Sequence, residues 1–172
     1  MIKINGNDYP TQVNEMTLEQ WVNVSDAIRT FEKEPVMQLE AVLKSLGVPQ
    51  NEIDNIELSF TKELYAAMDG KSDGLELVET IDKYSINLNM PLTVKVSKMI
   101  DKLHEVGNQT IALLAFFYRD ENLTDVEHFD KAHIKHKANQ FKKMPASNFV
   151  VAVGAIMEYL TGEAKKMQDE SK

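Results

Sequence analysis

The apolar positions of the first thirty residues change from a period of two to a helical period. Apolar and polar residues alternate over residues 2–13 around Asn5-Gly6, which predicts a small N-terminal β-hairpin. Thr17 and Gln20 then have the spacing of a capping box, which marks the start of a helix. The predicted buried face of this helix consists of Trp21, Val24, Ile28 and Phe31.

Two further helices are predicted before residue 70, and each carries its own start or stop signal. Pro35 favours the first turn of the second helix. Gly47 supplies the left-handed residue that ends this helix, and Pro49 prevents its continuation. Ser59 is placed to cap the third helix, which stops at Asp69-Gly70. The predicted apolar faces are Val36, Leu39, Leu43 and Leu46 on the second helix, and Phe60, Leu64 and Met68 on the third.

The rest of the chain is predicted to be helical with one short strand. LELVETIDKYSINLN mixes helical and strand patterns, and its alternating part YSINLN favours a strand. Gly107 closes the next helix. Asn108 can cap the apolar stretch NQTIALLAFFYR, which is typical of a helix buried on several sides. A polar helix, KAHIKHKANQFKK, precedes a final amphipathic one. Its inward-facing residues are predicted to be Phe149, Val153, Ile156 and Leu160.

These patterns predict a mainly α-helical α+β fold in a single compact domain, with the N-terminal β-hairpin and a second short strand as its β-structure. We expect the hairpin and first helices over residues 1–68 and a glycine-containing corner over 69–74. A helical portion with the strand then covers 75–160, and a charged, frayed tail covers 161–172.

Composition and charge narrow the class of protein. The 172 residues include no cysteine, so neither a disulfide framework nor a thiolate zinc site can form. A net charge of −8 argues against general nucleic-acid binding, because phosphate neutralisation needs a basic face. The N-terminus lacks an apolar signal region, and the longest apolar stretch, residues 111–118, is far shorter than the ~20 residues of a membrane span. We expect a cytoplasmic protein with no nucleic-acid or membrane partner.

The loop MDGKSDG, residues 68–74, contains fragments of two ligand-binding signatures. A phosphate-binding loop needs a glycine five residues before its Gly-Lys-Ser, where Tyr65 stands, and it must follow a strand. A calcium loop needs an oxygen ligand where Lys71 stands and a bidentate glutamate where Thr80 stands. Two glycines between helical segments are instead typical of a turn, so we interpret the loop as a corner.

The histidines give the only metal hypothesis. His133 and His136 are one helical turn apart, with His128 and Asp130 close in sequence. Two imidazoles on one helix face can hold zinc if a carboxylate joins them. The HxxH pattern lacks the flanking glutamate of the zincin signature, and the stretch is rich in lysine. We therefore predict no metal site, no cofactor and no enzyme, and keep a metal-dependent enzyme using His133 and His136 as an alternative.

Charge is unevenly distributed over residues 120–143. The first eleven residues hold five acids, and residues 131–143 hold five lysines without an acid. One interpretation places the acidic loop against the basic helix or at its N-terminus, where negative charge is favoured. The other is a docking face for an acidic partner, formed by Lys131, Lys135, Lys137, Lys142 and Lys143. We favour the first, because exposed ion pairs need no functional reason.

The block AFFYR contains residue types that dominate interface hot spots. On an almost wholly apolar helix such residues are more often core, and some can serve both roles. The residues predicted to bind a partner are Phe116, Phe117, Tyr118, Arg119, Lys131, Lys135, Lys142 and Lys143.

Several short motifs resemble those of phage assembly proteins. MTLEQW leads into a helix and is followed by LKSLGVPQNEIDNIELSF, and LLAFFYRDE precedes a polar helix with FKKMPASNFVVAV. From about Met16 to Leu160 the chain is similar to the T-even-like baseplate (hub) protein family of contractile-tailed bacteriophages, and also to the tail assembly chaperones of other tailed phages. FVVAVGAIMEYL departs from the family because it lacks the run of aromatics expected there. The matching positions are Leu46, Gly47, Pro49, Ile53, Tyr118, Arg119, Phe141 and Pro145.

The resemblance implies a non-enzymatic protein of virion assembly that acts through protein–protein interaction. Its partners would be other phage tail or baseplate proteins, in an oligomeric assembly, and no catalytic residue is carried over. It would act in the host cytoplasm during assembly, as a chaperone, or remain in the virion as a hub component. The alternative from another class is a phage or bacterial regulatory protein that binds a host partner through its lysine helix.

Overall fold

The computed structural model describes residues 1–68 and 74–169, and it confirms a mainly helical α+β fold. Helices account for 56% of the residues, and the described strands form two small antiparallel sheets. The described residues divide into two compact units. The first comprises residues 1–68, 74 and 143–147, and the second comprises residues 75–142 and 148–169.

The described part of the first unit contains two strands and four helices. They are β1 (Ile2–Ile4), β2 (Asn7–Tyr9), α1 (Leu18–Thr30), α2 (Pro35–Ser45), α3 (Gln50–Ile53) and α4 (Phe60–Met68). The hairpin β1–β2 was predicted, and its turn has positive φ at Asn5 (49°) and Gly6 (87°). Thr17 and Gln20 form the predicted capping box. The helix stop at Asp69-Gly70 and the corner predicted there lie outside the described residues, except for Gly74.

The core of the first unit lies where α1, α2 and the hairpin meet. Its buried members are Ile4, Met16, Val24, Ala27, Leu39, Val42, Leu43, Leu46, Val48, Ile53, Leu64 and Ala146. Two positions predicted to be buried are exposed, Ile28 by 37% and Val36 by 55%. On α1 the buried face is rotated around the helix axis relative to the predicted face, so Val22 and Ala27 are buried instead of Ile28. On α2 the first buried side chain lies one turn after Val36, at Leu39.

Residues 143–147 return to the first unit and pair with the segment that precedes α1. The Leu18 amide donates a hydrogen bond to the Met144 carbonyl (2.8 Å), and the Ala146 amide donates to the Met16 carbonyl (2.9 Å). Because Ala146 is also fully buried, this short segment is part of the first unit's core as well as of its hydrogen bonding.

The second unit contains a three-stranded sheet and helices packed around α6. Its described elements are β3 (Thr80–Ile81), β4 (Tyr84–Ile86), α5 (Val94–Asp101), α6 (Gln109–Phe117), β5 (Tyr118–Asp120), α7 (Asp125–His128), α8 (Lys131–Phe141) and α9 (Val150–Asp169). The sheet is antiparallel in the order β3-β4-β5. The apolar helix α6 packs against α8 and α9, as expected for a helix buried on several sides.

Some boundaries in the second unit differ from the predictions. The helix predicted through Arg119 ends at Phe117, because Tyr118 turns to an extended conformation and β5 pairs with β4. Residues 75–79, where helical and strand patterns are mixed, lie in neither a helix nor a strand. The final helix continues through Asp169, so residues 161–169 of the predicted tail are helical.

Gly47 allows a test of the helix-end prediction. It has a φ of 92°, and the Val48 amide donates to the Leu43 carbonyl (3.0 Å), which is the hydrogen bond of a Schellman end. We expect Gly47→Ala to lower the free energy of unfolding by about 1–2 kcal/mol, because an L-residue is strained at this φ. Urea denaturation measures the change.

Gly154 provides the control for this substitution. It lies within α9, and an added Cβ would meet no atom within 4 Å. Gly154→Ala should therefore raise the free energy of unfolding, by about 0.5–1 kcal/mol. Equal effects of the two alanines would contradict the role assigned to Gly47.

Candidate functional site

The aromatic block predicted to bind a partner is buried inside the second unit. Phe116, Phe117 and Tyr118 are 0% exposed, so a partner cannot reach them in this conformation, and their predicted role as contacts is replaced by one in the core. The Tyr118 ring packs edge-on against Phe141 (5.7 Å between centroids), and its hydroxyl donates to the Val78 carbonyl (2.6 Å). Burial raises the pKa of Tyr118 to about 12.

Arg119 lies on the opposite side of β5 from Tyr118, because strand residues alternate. Its guanidinium forms an ion pair with Asp125 of α7 and lies over the Phe129 ring, 5.6 Å from the centroid. Arg119 therefore holds α7 to the sheet. Four-fifths of its side chain is covered, so only a small part faces solvent.

The lysines predicted as a docking face have different environments. Lys131 forms an ion pair with Glu105, Lys135 is exposed, and Lys142 is half-buried. Lys143 is exposed but belongs to the first unit. Lys137 is completely buried, so it cannot be part of a docking face. From the sequence we favoured an acidic loop placed against the basic helix or at its N-terminus. One contact supports this interpretation: the Asp130 side chain accepts a hydrogen bond from the His133 amide and caps α8, where negative charge is favourable.

Lys137 is the most unusual side chain of the second unit. Its ammonium group donates to the Tyr118 carbonyl and lies over the Tyr84 ring, 4.8 Å from the centroid. Neither of these two contacts is with a carboxylate. Burial lowers the pKa of Lys137 to about 7, although the charge of Asp120 acts in the opposite direction. The group is therefore partly neutral near neutral pH.

Two histidines lie next to this lysine. His128 is 0% exposed, and its Nε2 lies 2.9 Å from the Phe116 carbonyl, which requires the proton on Nε2. Its ring centroid is 6.3 Å from that of His133. His128 Nδ1 and His133 Nε2 are both enclosed and have no hydrogen-bond partner. Burial, and then the charge of Lys137, lower the pKa of His128 to about 4, and the same two causes lower the pKa of His133.

Asp120 is the acidic residue near Lys137 and His133. Its carboxylate lies 2.7 Å from the Lys83 ammonium and accepts a hydrogen bond from the Asn122 amide (3.1 Å). The hydrogen bond from Lys83 is the main reason why the pKa of Asp120 falls to about 2. We name Asp120, His128, His133 and Lys137 the buried polar cluster, and Lys83, whose side chain is 60% exposed, pairs with this cluster from outside through Asp120.

The two histidines considered as a zinc site from sequence have different environments. The enclosed Nε2 belongs to His133, whereas His136 is exposed and His128 makes the ring contact. Among residues 1–68 and 74–169, no group of three or more histidine, aspartate or glutamate side chains is arranged to hold a metal ion.

A polar pocket of about 340 Å³ lies beside the sheet of the second unit. It is lined by Ser85, Ile86, Asn87, Arg119, Asp120, Glu121 and Leu123. Its volume is within the range of small-ligand sites. Asp120 and Arg119 are already paired with Lys83 and Asp125, so two of the three charged residues that line this pocket are engaged within the chain.

The first unit has an apolar hollow of about 420 Å³ lined by Ile28, Tyr65, Ala66 and Met68, which we name the Ile28 hollow. Gln38 joins two of its walls, because its Nε2 donates to the Ile28 carbonyl (2.8 Å) while its Oε1 accepts from the Tyr65 hydroxyl (2.5 Å). Apolar side chains gathered in an open hollow are typical of interaction sites.

Sequence reasoning missed the buried polar cluster, although one signal was present. Lys137 occupies the apolar stripe of α8, three residues after Ile134 and four before Phe141, both of which are buried. Helical spacing alone therefore places its side chain on the inner face. The pairing of Lys83 with Asp120 had no such signal, because it depends on contact between distant segments.

Comparison of the chain with protein-family models, with curated proteins and with solved structures found no match. Among the described residues, no helix has the length and apolar character needed to cross a bilayer.

Proposed function

We propose that this protein is a non-enzymatic assembly protein of a bacteriophage tail or baseplate, and that it works by binding other tail proteins. The proposal is supported by the motif resemblance over residues 16–160 and by the Ile28 hollow. The hollow carries the structural argument, because it offers open apolar surface between α1 and α4.

The chemistry of the first unit indicates what kind of partner fits the hollow. Residues 1–68 and 143–147 contain eleven acids and six bases, so this unit is acidic. A partner that inserts an apolar side chain and carries basic residues around it complements both the hollow and the charge. Ile28 is 37% exposed and Ala66 is exposed, so both are accessible to such a partner.

The double substitution Ile28→Glu/Ala66→Glu tests this function. It places two carboxylates in the apolar hollow, and an apolar side chain of the partner that enters the hollow would have to strip these carboxylates of water, so we expect co-purification with the phage's other tail proteins to fall at least tenfold. Because both positions are accessible, the thermal unfolding midpoint should remain close to that of the wild type.

Val94→Glu is the matched control. Val94 is 73% exposed at the start of α5, where an acid is tolerated, so this variant should bind as the wild type does. Undiminished co-purification of the double variant, or an equal loss in the control, would contradict the proposal. Mass spectrometry of purified particles then separates a hub component, which is present in mature virions, from a chaperone, which is absent.

A further inference from the structure

The buried polar cluster contains two imidazole nitrogens whose hydrogen-bonding capacity is unused. His128 Nδ1 and His133 Nε2 are enclosed without a partner, while His128 Nε2 donates to the Phe116 carbonyl (2.9 Å). A buried polar atom without a partner is costly, and natural proteins keep few of them. A proton added to either nitrogen would therefore have no acceptor within hydrogen-bond distance in this arrangement.

The groups around His128 are mainly cationic. Lys137 and His133 lie on α8, and Arg119 lies on β5. Around His133 the further groups are Lys83 on the β3–β4 turn, Asp120 on β5, His136 on α8 and Glu127 on α7. Asp120 is engaged by Lys83, and Glu127 by Thr124 in the α7 capping box, so neither carboxylate is committed to a protonated His128.

We propose that residues 124–133 form an acid-sensitive latch on the second unit, which is held closed by neutral His128 and opens when this ring takes up a proton. The neutral ring donates one hydrogen bond to α6 and packs against both Phe116 and Phe129, at 6.3 and 5.1 Å between centroids. A second proton on the ring places a cation beside the Lys137 ammonium in a dry environment. Opening of the latch separates Phe129 from Phe116, on which it stacks at 5.1 Å, and exposes both rings.

The direction of the pH dependence follows from the histidine pKa values. His128 has a pKa of about 4 in the folded chain and 6.5 ordinarily, so the open form binds more protons between these values. The closed latch therefore loses stability as pH falls from 6.5 towards 4, by up to about tenfold in the opening equilibrium per pH unit. Asp120 and Glu127 have lowered pKa values and weaken the fold only at more acidic pH, below about 4.5.

Amide hydrogen exchange of the full chain at about pH 7 and about pH 5 tests the latch, after correction for the intrinsic rates. We expect exchange of residues 124–133 to increase roughly tenfold or more at the lower pH. His128→Gln retains a side-chain donor but takes up no proton, so the increase in its corrected rates should be several times smaller than in the wild type, and the remainder comes from His133 and Lys137, whose pKa values are also lowered. His136→Gln removes an exposed histidine from the next helix, α8, and should behave as the wild type does.

Lys137→Met provides a second test if His128→Gln does not fold. Without the neighbouring ammonium, protonation of His128 is less unfavourable in the closed state, so the increase in exchange should be smaller than in the wild type. The proposal is overturned if the wild type shows no increase, if His128→Gln retains it in full, if His136→Gln removes it, or if Lys137→Met leaves it unchanged.

Discussion

Replacing Lys137 with methionine is expected to remove a gain in stability of about 2–3 kcal/mol that the wild-type protein acquires between about pH 7 and about pH 9.5. The wild-type gain arises because burial holds the pKa of Lys137 at about 7, while the unfolded chain has the ordinary value near 10.4. Between these two values the unfolded state binds more protons, so the free energy of unfolding rises with pH. Methionine has similar length and no charge, so the substitution removes the pH-dependent contribution of Lys137 to the free energy of unfolding.

Urea denaturation at the two pH values measures the effect, with Lys135→Met as the control. Lys135 is exposed on the same helix, so its replacement should leave the pH dependence as it is in the wild type. The upper pH stays below 10 because Tyr118, whose pKa is raised to about 12, lowers stability once tyrosines of the unfolded chain ionise. A Lys137→Met protein with the wild-type pH dependence would contradict the assigned burial.

Phe116→Ala is expected to lower the free energy of unfolding by about 3–5 kcal/mol, the usual cost of emptying a buried phenylalanine site. Phe116 is 0% exposed, packs edge-on against Phe117 (5.6 Å between centroids) and stacks on Phe129 (5.1 Å). If this residue acted mainly at a partner interface, the substitution would leave the isolated chain stable and weaken only binding.

Phe116→Leu separates packing from a general intolerance of substitution. Leucine keeps most of the buried volume, so its cost should be about 1–1.5 kcal/mol. Both variants are compared by chemical denaturation of the isolated protein. An alanine variant as stable as the wild type would show that the second unit does not depend on this ring.

Local signals were sufficient to predict several features of the fold. The Thr17–Gln20 capping box, the Asn5-Gly6 turn and the helix end at Gly47 each depend on residues close in sequence, and all three are present. The apolar pattern of α6 likewise identified a helix buried on several sides. These features follow from short-range hydrogen bonds and from the φ values that glycine and asparagine tolerate.

Features set by contacts between distant segments were not predicted. β5 was taken as the end of a helix, because its pairing with β4 joins residues 84–86 to residues 118–120. Lys137 was assigned to the surface because its charge outweighed its position on the apolar stripe. The Ile28 hollow was missed for the opposite reason: Ile28 fitted the apolar stripe of α1, but the neighbouring helices leave it uncovered.

The return of residues 143–147 to the first unit has a consequence for biosynthesis. Proteins are made from the N-terminus, and domains generally fold as their residues emerge from the ribosome. The amide of Leu18 receives its carbonyl partner only after Met144 has been translated, when residues 75–142 of the second unit have already been made. The first unit is therefore completed late, and a nascent chain that stops before Lys143 lacks the segment that finishes it.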